Sequence, residues 1–322
     1  MIYSLYITSS RLERLDFYKI DVTLPGIVIV HLDFKYDAVY KNMKFSSKLM
    51  VANVYFNGNV HKVNIYNLKD LIAIFSAIPK DNYRNVFIYS GHSNGMYLSR
   101  RKIRILRIED FCEIVNSVLG GKKADLIIFD ACLCGNISCL SICYNYTKYV
   151  IADTSYGSYE SVLFTKSLYN LLPVKLTGPV AKLTGPVDNQ LIEYSKRIIK
   201  EFIFIESHQS DTYHTNICLY EMNKHLLSLI KLTLQYKDTF YNKRCFVIEY
   251  NYYKDLECCF EGTSVIKKLL KQFVIYARYH RTVSHNRHVS KKKNISVQSK
   301  LLILTKRPIK DIPTIGDTFL PS

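Results

Sequence analysis

With 322 residues, 48% of them hydrophobic and 22% charged, the chain is long enough to bury a sizeable core and too apolar to be disordered. Its nine cysteines are odd in number and form no CxxC pair, which argues against a disulfide framework and a structural zinc site and for a reduced, intracellular compartment. The outlying bulk property is a net charge of +17, which points to polyanionic partners, while no apolar run approaches the roughly 18 residues of a membrane span.

The first residues, "MIYSLYITSSRLERLDF", carry no basic segment ahead of their apolar stretch, so no signal peptide is expected. Short runs rich in β-branched and aromatic residues read as strands: "IYSLYI", "GIVIVHLDF", "NVFIYS", "ADLIIFDA" and "KYVIAD". "SKLMVANVYFNGNVHKVNIY" places Asn57-Gly58 between two β-like runs and reads as a hairpin. Between the strands, "LKDLIAIFSAI", "IEDFCEIVNSVL" and "ESVLFTKSLYNLL" repeat apolar residues at helical spacing. Continuous apolar strands separated by amphipathic helices predict an α/β fold, a mostly parallel sheet with helices on both faces. Lys175 to Asp188 duplicates "KLTGPVA" as "KLTGPVD", and two Gly-Pro pairs make it an exposed loop. A long helix, "NQLIEYSKRIIKEFIFI", a strand, "TNICLYEM", and a helix, "NKHLLSLIKLTLQY", follow. The main domain is read as residues 1–236. Residues 237–322 form a small helical, basic extension, with a helix from Ser264 and loose order after about 281.

Two strand ends carry chemistry. "NVFIYS" runs into Gly91-His92-Ser93-Asn94-Gly95, which matches the G-x-S-x-G of a hydrolase nucleophile elbow. An elbow serine needs a helix immediately after it, and "MYLSRRKIRILRI" reads as a short strand and a loop. A Ser93 triad would have to draft Asp130 or Asp153 with His208 or His214. The other strand, "ADLIIFDACLCGN", ends at Asp130-Ala131-Cys132, and a thiol just past the carboxyl end of a parallel strand lies where α/β sheets hold ligands. If the two strands are neighbours, His92 and Cys132 emerge at one edge, and a thiol needs only a base to hold or take its proton.

With "IIFDACLCG" as its most specific segment, the chain resembles the clostripain family of cysteine peptidases, which share the caspase-like fold with legumains, gingipains and caspases. The histidine turn, "GIVIVHLDF", "LKDLIAIFSAI", "YVIADTSYG" and "SDTYHTNICLYEMNKHLLSLIK" fall in the family's order, over roughly residues 1–236. The resemblance implies a cysteine endopeptidase cleaving after Lys or Arg, with Cys132 as nucleophile and His92 as general base and acid. It implies an oxyanion hole from the amides of Ser93 and Cys132. Asp130 would line the pocket for a basic P1 side chain, with Asp153 and Glu160 in the segment where a second pocket acid falls. Neither a redox cofactor nor a metal is implied, and the partner is a protein or peptide substrate with self-cleavage in the Lys175–Asp188 loop a further expectation.

Two residues depart from the family pattern: Ser93 stands where glycine follows the histidine, and Cys134 where a bulky apolar residue is usual. A Cβ at position 93 can misaim the oxyanion amide, so a catalytically impaired scaffold or binding protein remains a competing reading. A third reading rests on "IKKLLKQFVIYARYHRTVSHNRHVSKKKN", a basic block suited to nucleic acid or an anionic membrane.

Overall fold

The strands expected from the apolar runs assemble, in the computed structural model, into one nine-stranded sheet. The structure describes residues 1–8, 15, 17–33, 50–79, 84–98, 106–154, 161–171, 187–209, 214–236, 247–248, 253–256, 264–281 and 301–304. In chain order its strands are β1 (Ile2–Thr8), β2 (Ile27–Asp33), β3 (Met50–Phe56), β4 (Asn59–Ile65), β5 (Val86–Ser90), β6 (Tyr97–Leu98), β7 (Leu106–Arg107), β8 (Ala124–Asp130), β9 (Thr147–Asp153), β10 (His214–Glu221), β11 (Val247–Ile248), β12 (Tyr253–Asp255), β13 (Val274–Arg281) and β14 (Leu302–Leu304). The helices are α1 (Leu68–Ser76), α2 (Ile108–Leu119), α3 (Ile137–Cys143), α4 (Lys166–Tyr169), α5 (Val187–Gln209), α6 (Lys224–Gln235) and α7 (Ser264–Phe273).

The main sheet runs β13-β10-β9-β8-β5-β1-β2-β3-β4. Its five central strands, β9 to β2, are parallel, and antiparallel strands extend both sides. This is the α/β, mostly parallel architecture the sequence predicts. Alternate residues feed opposite faces, as a pleated strand requires. Tyr3, Leu5 and Ile7 pack with Leu71 and Phe75 of α1, Ile114 of α2, Leu140 of α3, Leu226 of α6 and Leu270 of α7. Ile2 and Tyr6 face the other way, with Leu168 of α4 and Leu191, Ile198 and Phe202 of α5.

Local chemistry sets the element ends. Asn67 and Asp70 close a capping box at the start of α1. Asn57 and Gly58 both take positive φ, at 50° and 77°, and join β3 to β4 in the expected hairpin. Among the described residues, no helix is long and apolar enough to cross a membrane.

Two expectations need correction. "ESVLFTKSLYNLL" does not form one helix: a 3-10 turn at Val162–Phe164 and the four-residue α4 are separated by Thr165, whose ψ is 128°. On the far side of the break the Ser167 amide donates to Glu201 Oε2 (2.8 Å) rather than to a carbonyl one turn back, while the Val162 amide, free in any helix start, donates to Asp130 Oδ2 (3.0 Å). The basic helix from Ser264 stops at Phe273, and Val274–Arg281 continues as a strand on the open edge of β10. Leu256, Ile266, Leu270, Phe273 and Leu301, all beyond residue 236, are buried in the same core as β1. Leu302–Leu304, past the point where loose order is expected, pair with β12 in a small three-stranded sheet. Of the duplicated stretch, residues up to 186 lie outside the described ones, and Val187-Asp188 open α5.

Candidate functional site

β5 and β8 are neighbouring parallel strands whose last residues, Ser90 and Asp130, face each other in register. His92 and Cys132 therefore each stand two residues past a paired position, at the same carboxyl edge. The chain order also reverses beside β5, since β2 lies on one side of β1 and β5 on the other, and such switch points are where open α/β sheets form clefts.

The histidine turn begins at Gly91, with φ 151°. A Cβ there would lie 2.9 Å from the Ile7 carbonyl oxygen and 3.0 Å from Tyr89 Oη, so only glycine passes. The buried Tyr89 hydroxyl donates to the His92 carbonyl (2.8 Å) and fixes the turn from below. Asn94 Oδ1 then accepts from the Met96 and Tyr97 amides (3.1 and 2.9 Å), folding the chain into β6. The helix an elbow serine would need is absent from this turn. Among the described residues the next one begins at Ile108, and Ser93 bridges to Leu98 in extended pairing. The hydroxyl of Ser93 accepts from the Gly95 amide (2.8 Å) and from the Cys134 thiol (3.2 Å). Ser93 is thus a loop anchor, and the G-x-S-x-G match lacks an elbow's context.

The φ of Ser93 lies outside the left-handed region. The backbone freedom of glycine is therefore not required there, and the two departures from the family pattern, Ser93 and Cys134, touch each other.

The cysteine turn is built differently. Cys132 is half-buried, and Leu133, fully buried, takes a left-handed φ of 61°, rare for a bulky side chain. Gly135 donates its amide to the Asp153 carbonyl (2.7 Å). A Cβ at Gly135 would stand 2.5 Å from Thr154 Cγ2 and 2.8 Å from Tyr220 Oη, so the turn is pressed against β9 and β10. Asn136 caps α3 through Oδ1, which accepts from the Cys139 amide (2.9 Å).

The Asp130 carboxylate, half-buried, accepts from the Ser90 hydroxyl (2.9 Å) and the Val162 amide (3.0 Å) on Oδ2. Asp153 ends β9 at the same edge and is buried, its Oδ1 accepting from the Asn216 amide (3.2 Å). The fold thus brings His92, Ser93, Cys132, Asp130 and Asp153 to one edge, while Glu160 lies outside the described residues, as do the side chains of His208 and His214. No group of His, Cys, Asp or Glu that could hold a metal ion occurs among the described residues.

Solved structures share this arrangement of strands and helices. A secreted C11 cysteine protease from Bacteroides thetaiotaomicron, solved with an irreversible peptide inhibitor, superposes at a TM-score of 0.59 over 99% of this chain and 96% of its own, with 12% identity. The B. thetaiotaomicron C11 protease called iotapain gives 0.60 over 94% and 92%, at 13% identity. The fold is that of the C11 cysteine proteases. An inactive zymogen of a C11 protease from Parabacteroides distasonis matches at 0.56 over 98% and 94%, at 11% identity. Neither a protein-family model nor a curated protein sequence matches this one.

Sequence reasoning missed Ser90, Val162 and Tyr89, whose parts here are tertiary. Asn136 alone left a readable signal, an N-cap residue directly before the apolar run "ISCLSIC".

Proposed function

We propose that the chain is a cysteine endopeptidase in which Cys132 and His92 form the reacting pair and Asp130 selects Lys or Arg at P1. The observation that carries this reading is the register of Ser90 against Asp130, which sets thiol and imidazole two residues beyond paired positions on adjacent strands. The half-buried exposure of Cys132 fits a nucleophile reached by a peptide.

In this mechanism the Cys132 sulfur, its proton held by His92, attacks the scissile carbonyl carbon and forms a C–S bond. The amides of Ser93 and Cys132 receive the negative charge that develops on the carbonyl oxygen. Collapse breaks the C–N bond as His92 passes its proton to the leaving amine. Water, deprotonated by His92, then cleaves the thioester and releases the acid. Asp130 meets the P1 cation with a carboxylate whose orientation Ser90 and Val162 hold, and a pocket acid left unpaired penalises a neutral side chain. Asp153, buried and bonded to Asn216, belongs in this reading to the frame between β9 and β10.

Fluorogenic Arg, Lys and Leu peptides separate the alternatives. Activity on Arg and Lys peptides that vanishes in Cys132→Ala, and selectivity over Leu that falls about a hundredfold in Asp130→Asn, is the expected result. Inactivity of wild type on all three favours the binding scaffold.

A second reading, binding of a nucleic acid backbone by the C-terminal segment, is favoured by its charge. From Gly262 to Lys310 there is no Asp or Glu among thirteen Lys or Arg residues. Lys267, Lys268 and Lys271 of α7 and Arg278 of β13 are exposed, whereas the apolar side of α7 (Ile266, Leu270, Phe273) is buried in the core and so withheld from a bilayer. Deleting residues from 278 onward would cut through β13, so the test is Lys267, Lys268 and Lys271→Glu together. A salt-sensitive shift of duplex DNA is expected to be lost in that variant, with anionic vesicles unbound by wild type. A shift unchanged in the variant refutes it.

A further inference from the structure

The strand hydrogen bonds that hold β5 beside β8 end at Ser90, Asp130 and the Gly91 amide, which donates to the Asp130 carbonyl (3.2 Å). His92 and Cys132 lie beyond them, so something else must hold the two turns together. We infer that Asn136 is that positioning residue, a conclusion that rests on His92 and Cys132 acting as a pair.

Asn136 is fully buried, and its one carboxamide serves both turns. Nδ2 donates to the Gly95 carbonyl (2.8 Å), three residues past His92, and to the Leu133 carbonyl (2.7 Å), the residue after Cys132. Oδ1 meanwhile caps α3 at the Cys139 amide. The side chain therefore ties the histidine loop, the cysteine loop and a helix to a single rigid group. Its bond to Leu133 falls on the residue forced into a left-handed conformation, the kink that turns the chain from β8 toward α3.

A weaker tie runs parallel to it, from the Cys134 thiol to the Ser93 hydroxyl. Both link residues 41 apart in sequence, 93 to 134 and 95 to 136, one more than the 40 that separates partners on the two strands, so side chains continue the association past the strand ends in a register shifted by one. Of the two, the Asn136 tie is the stronger device, because an amide donor to a carbonyl outweighs a thiol donor to a hydroxyl.

Capping and tying can be separated. Asn136→Ser and Asn136→Asp both keep an oxygen able to accept from the Cys139 amide, and neither can donate to the Gly95 and Leu133 carbonyls together. Turnover of an Arg or Lys fluorogenic peptide and the pH profile of Cys132 alkylation by iodoacetamide are measured in full-length wild type and both variants. A displacement of about 1 Å between reacting groups costs on the order of a hundredfold, so kcat is expected to fall by about that factor with KM within about threefold. Wild-type Cys132 is expected to alkylate at pH below about 7, as thiols beside an imidazolium do, and the profile to move up by one unit or more in the variants. A merely structural cap leaves kcat and the profile unmoved in folded Asn136→Ser, which overturns the inference; where that variant fails to fold, the isosteric Asn136→Asp is read in the same way. If wild type cleaves no peptide yet shows the low-pH alkylation that the variants lose, the positioning role stands and the peptidase reading falls. If wild-type Cys132 alkylates as an ordinary thiol, no pair exists to be positioned and both fail.

Discussion

Replacing Ser93 by glycine decides whether the serine impairs the site or supports it. By family pattern the change repairs the turn, and activity should rise. The structure argues the reverse, because Ser93 sits in ordinary extended backbone and its hydroxyl accepts from the Gly95 amide and the Cys134 thiol. Losing the amide bond removes about 1 kcal/mol net, and glycine adds about 0.5–1 kcal/mol of unfolded-chain entropy. The thiol tie adds a few tenths at most, since S–H is a weak donor. The sum, about 2 kcal/mol, lowers the melting temperature by about 3 °C in a chain of this size. Differential scanning fluorimetry of wild type, Ser93→Ala and Ser93→Gly measures it, with fluorogenic turnover alongside. A cycle of Ser93→Ala with Cys134→Ala should show a favourable coupling of a few tenths of a kcal/mol, the sign that the two departures compensate each other. A Ser93→Gly protein that melts with wild type and turns over ten times faster refutes this reasoning.

Three further outcomes follow from the packing. Cys112, Cys139 and Cys143 are fully buried with thiols pushed well above the ordinary 9.0, Cys112 by its contact with the Cys143 sulfur and then by burial, the other two chiefly by burial. The native state then keeps protons that the unfolded chain releases above pH 9, so these groups cost nothing below that pH and destabilise above it. The slope is up to about 1.4 kcal/mol per pH unit per thiol. Urea midpoints should hold level from pH 7 to 8.5 and fall steeply by pH 10.5; a flat curve to pH 10.5 contradicts the burial. At pH 8, iodoacetamide should label Cys132 in the folded protein and spare Cys112, Cys139 and Cys143 until urea is added, as peptide mass spectrometry reports. Gly135→Ala must move the Thr154 side chain and Tyr220 and is expected to cost about 2 kcal/mol or more, visible as a lowered melting temperature; wild-type melting would show that the turn can yield.

Elements whose signal is local were legible. Strands β1, β2, β5, β8 and β9 are buried on both faces, and a residue that must be apolar at every position writes its strand as an unbroken run. Asn57-Gly58 read as a hairpin because no other common pair accepts two successive positive φ values so easily. Illegible were the places where a distant group overrides the local pattern. Residues 160–172 have helical spacing, yet the chain breaks at Thr165 and the Ser167 amide goes to Glu201, a partner 34 residues away. Val274–Arg281 is a strand because β10 offers an edge, which no window of sequence around Phe273 can report.

The site shows the same division. That His92 and Cys132 leave neighbouring strands at one edge could be foreseen, because strand ends are marked by glycine and by the change of period, and because parallel neighbours present their carboxyl ends together. Holding them there is a different matter. It falls to Tyr89, which bonds within the histidine turn, and to Ser93, Cys134 and Asn136, which bond across from one turn to the other. Two of these, Ser93 and Cys134, read from the sequence as separate departures from a family pattern, the second a harmless one. In space they are one contact, so the meaning of either depends on a neighbour 41 residues away. A departure at such a turn cannot be weighed by its own chemistry, and the effect of Ser93 on the turn must be judged with Cys134 in place.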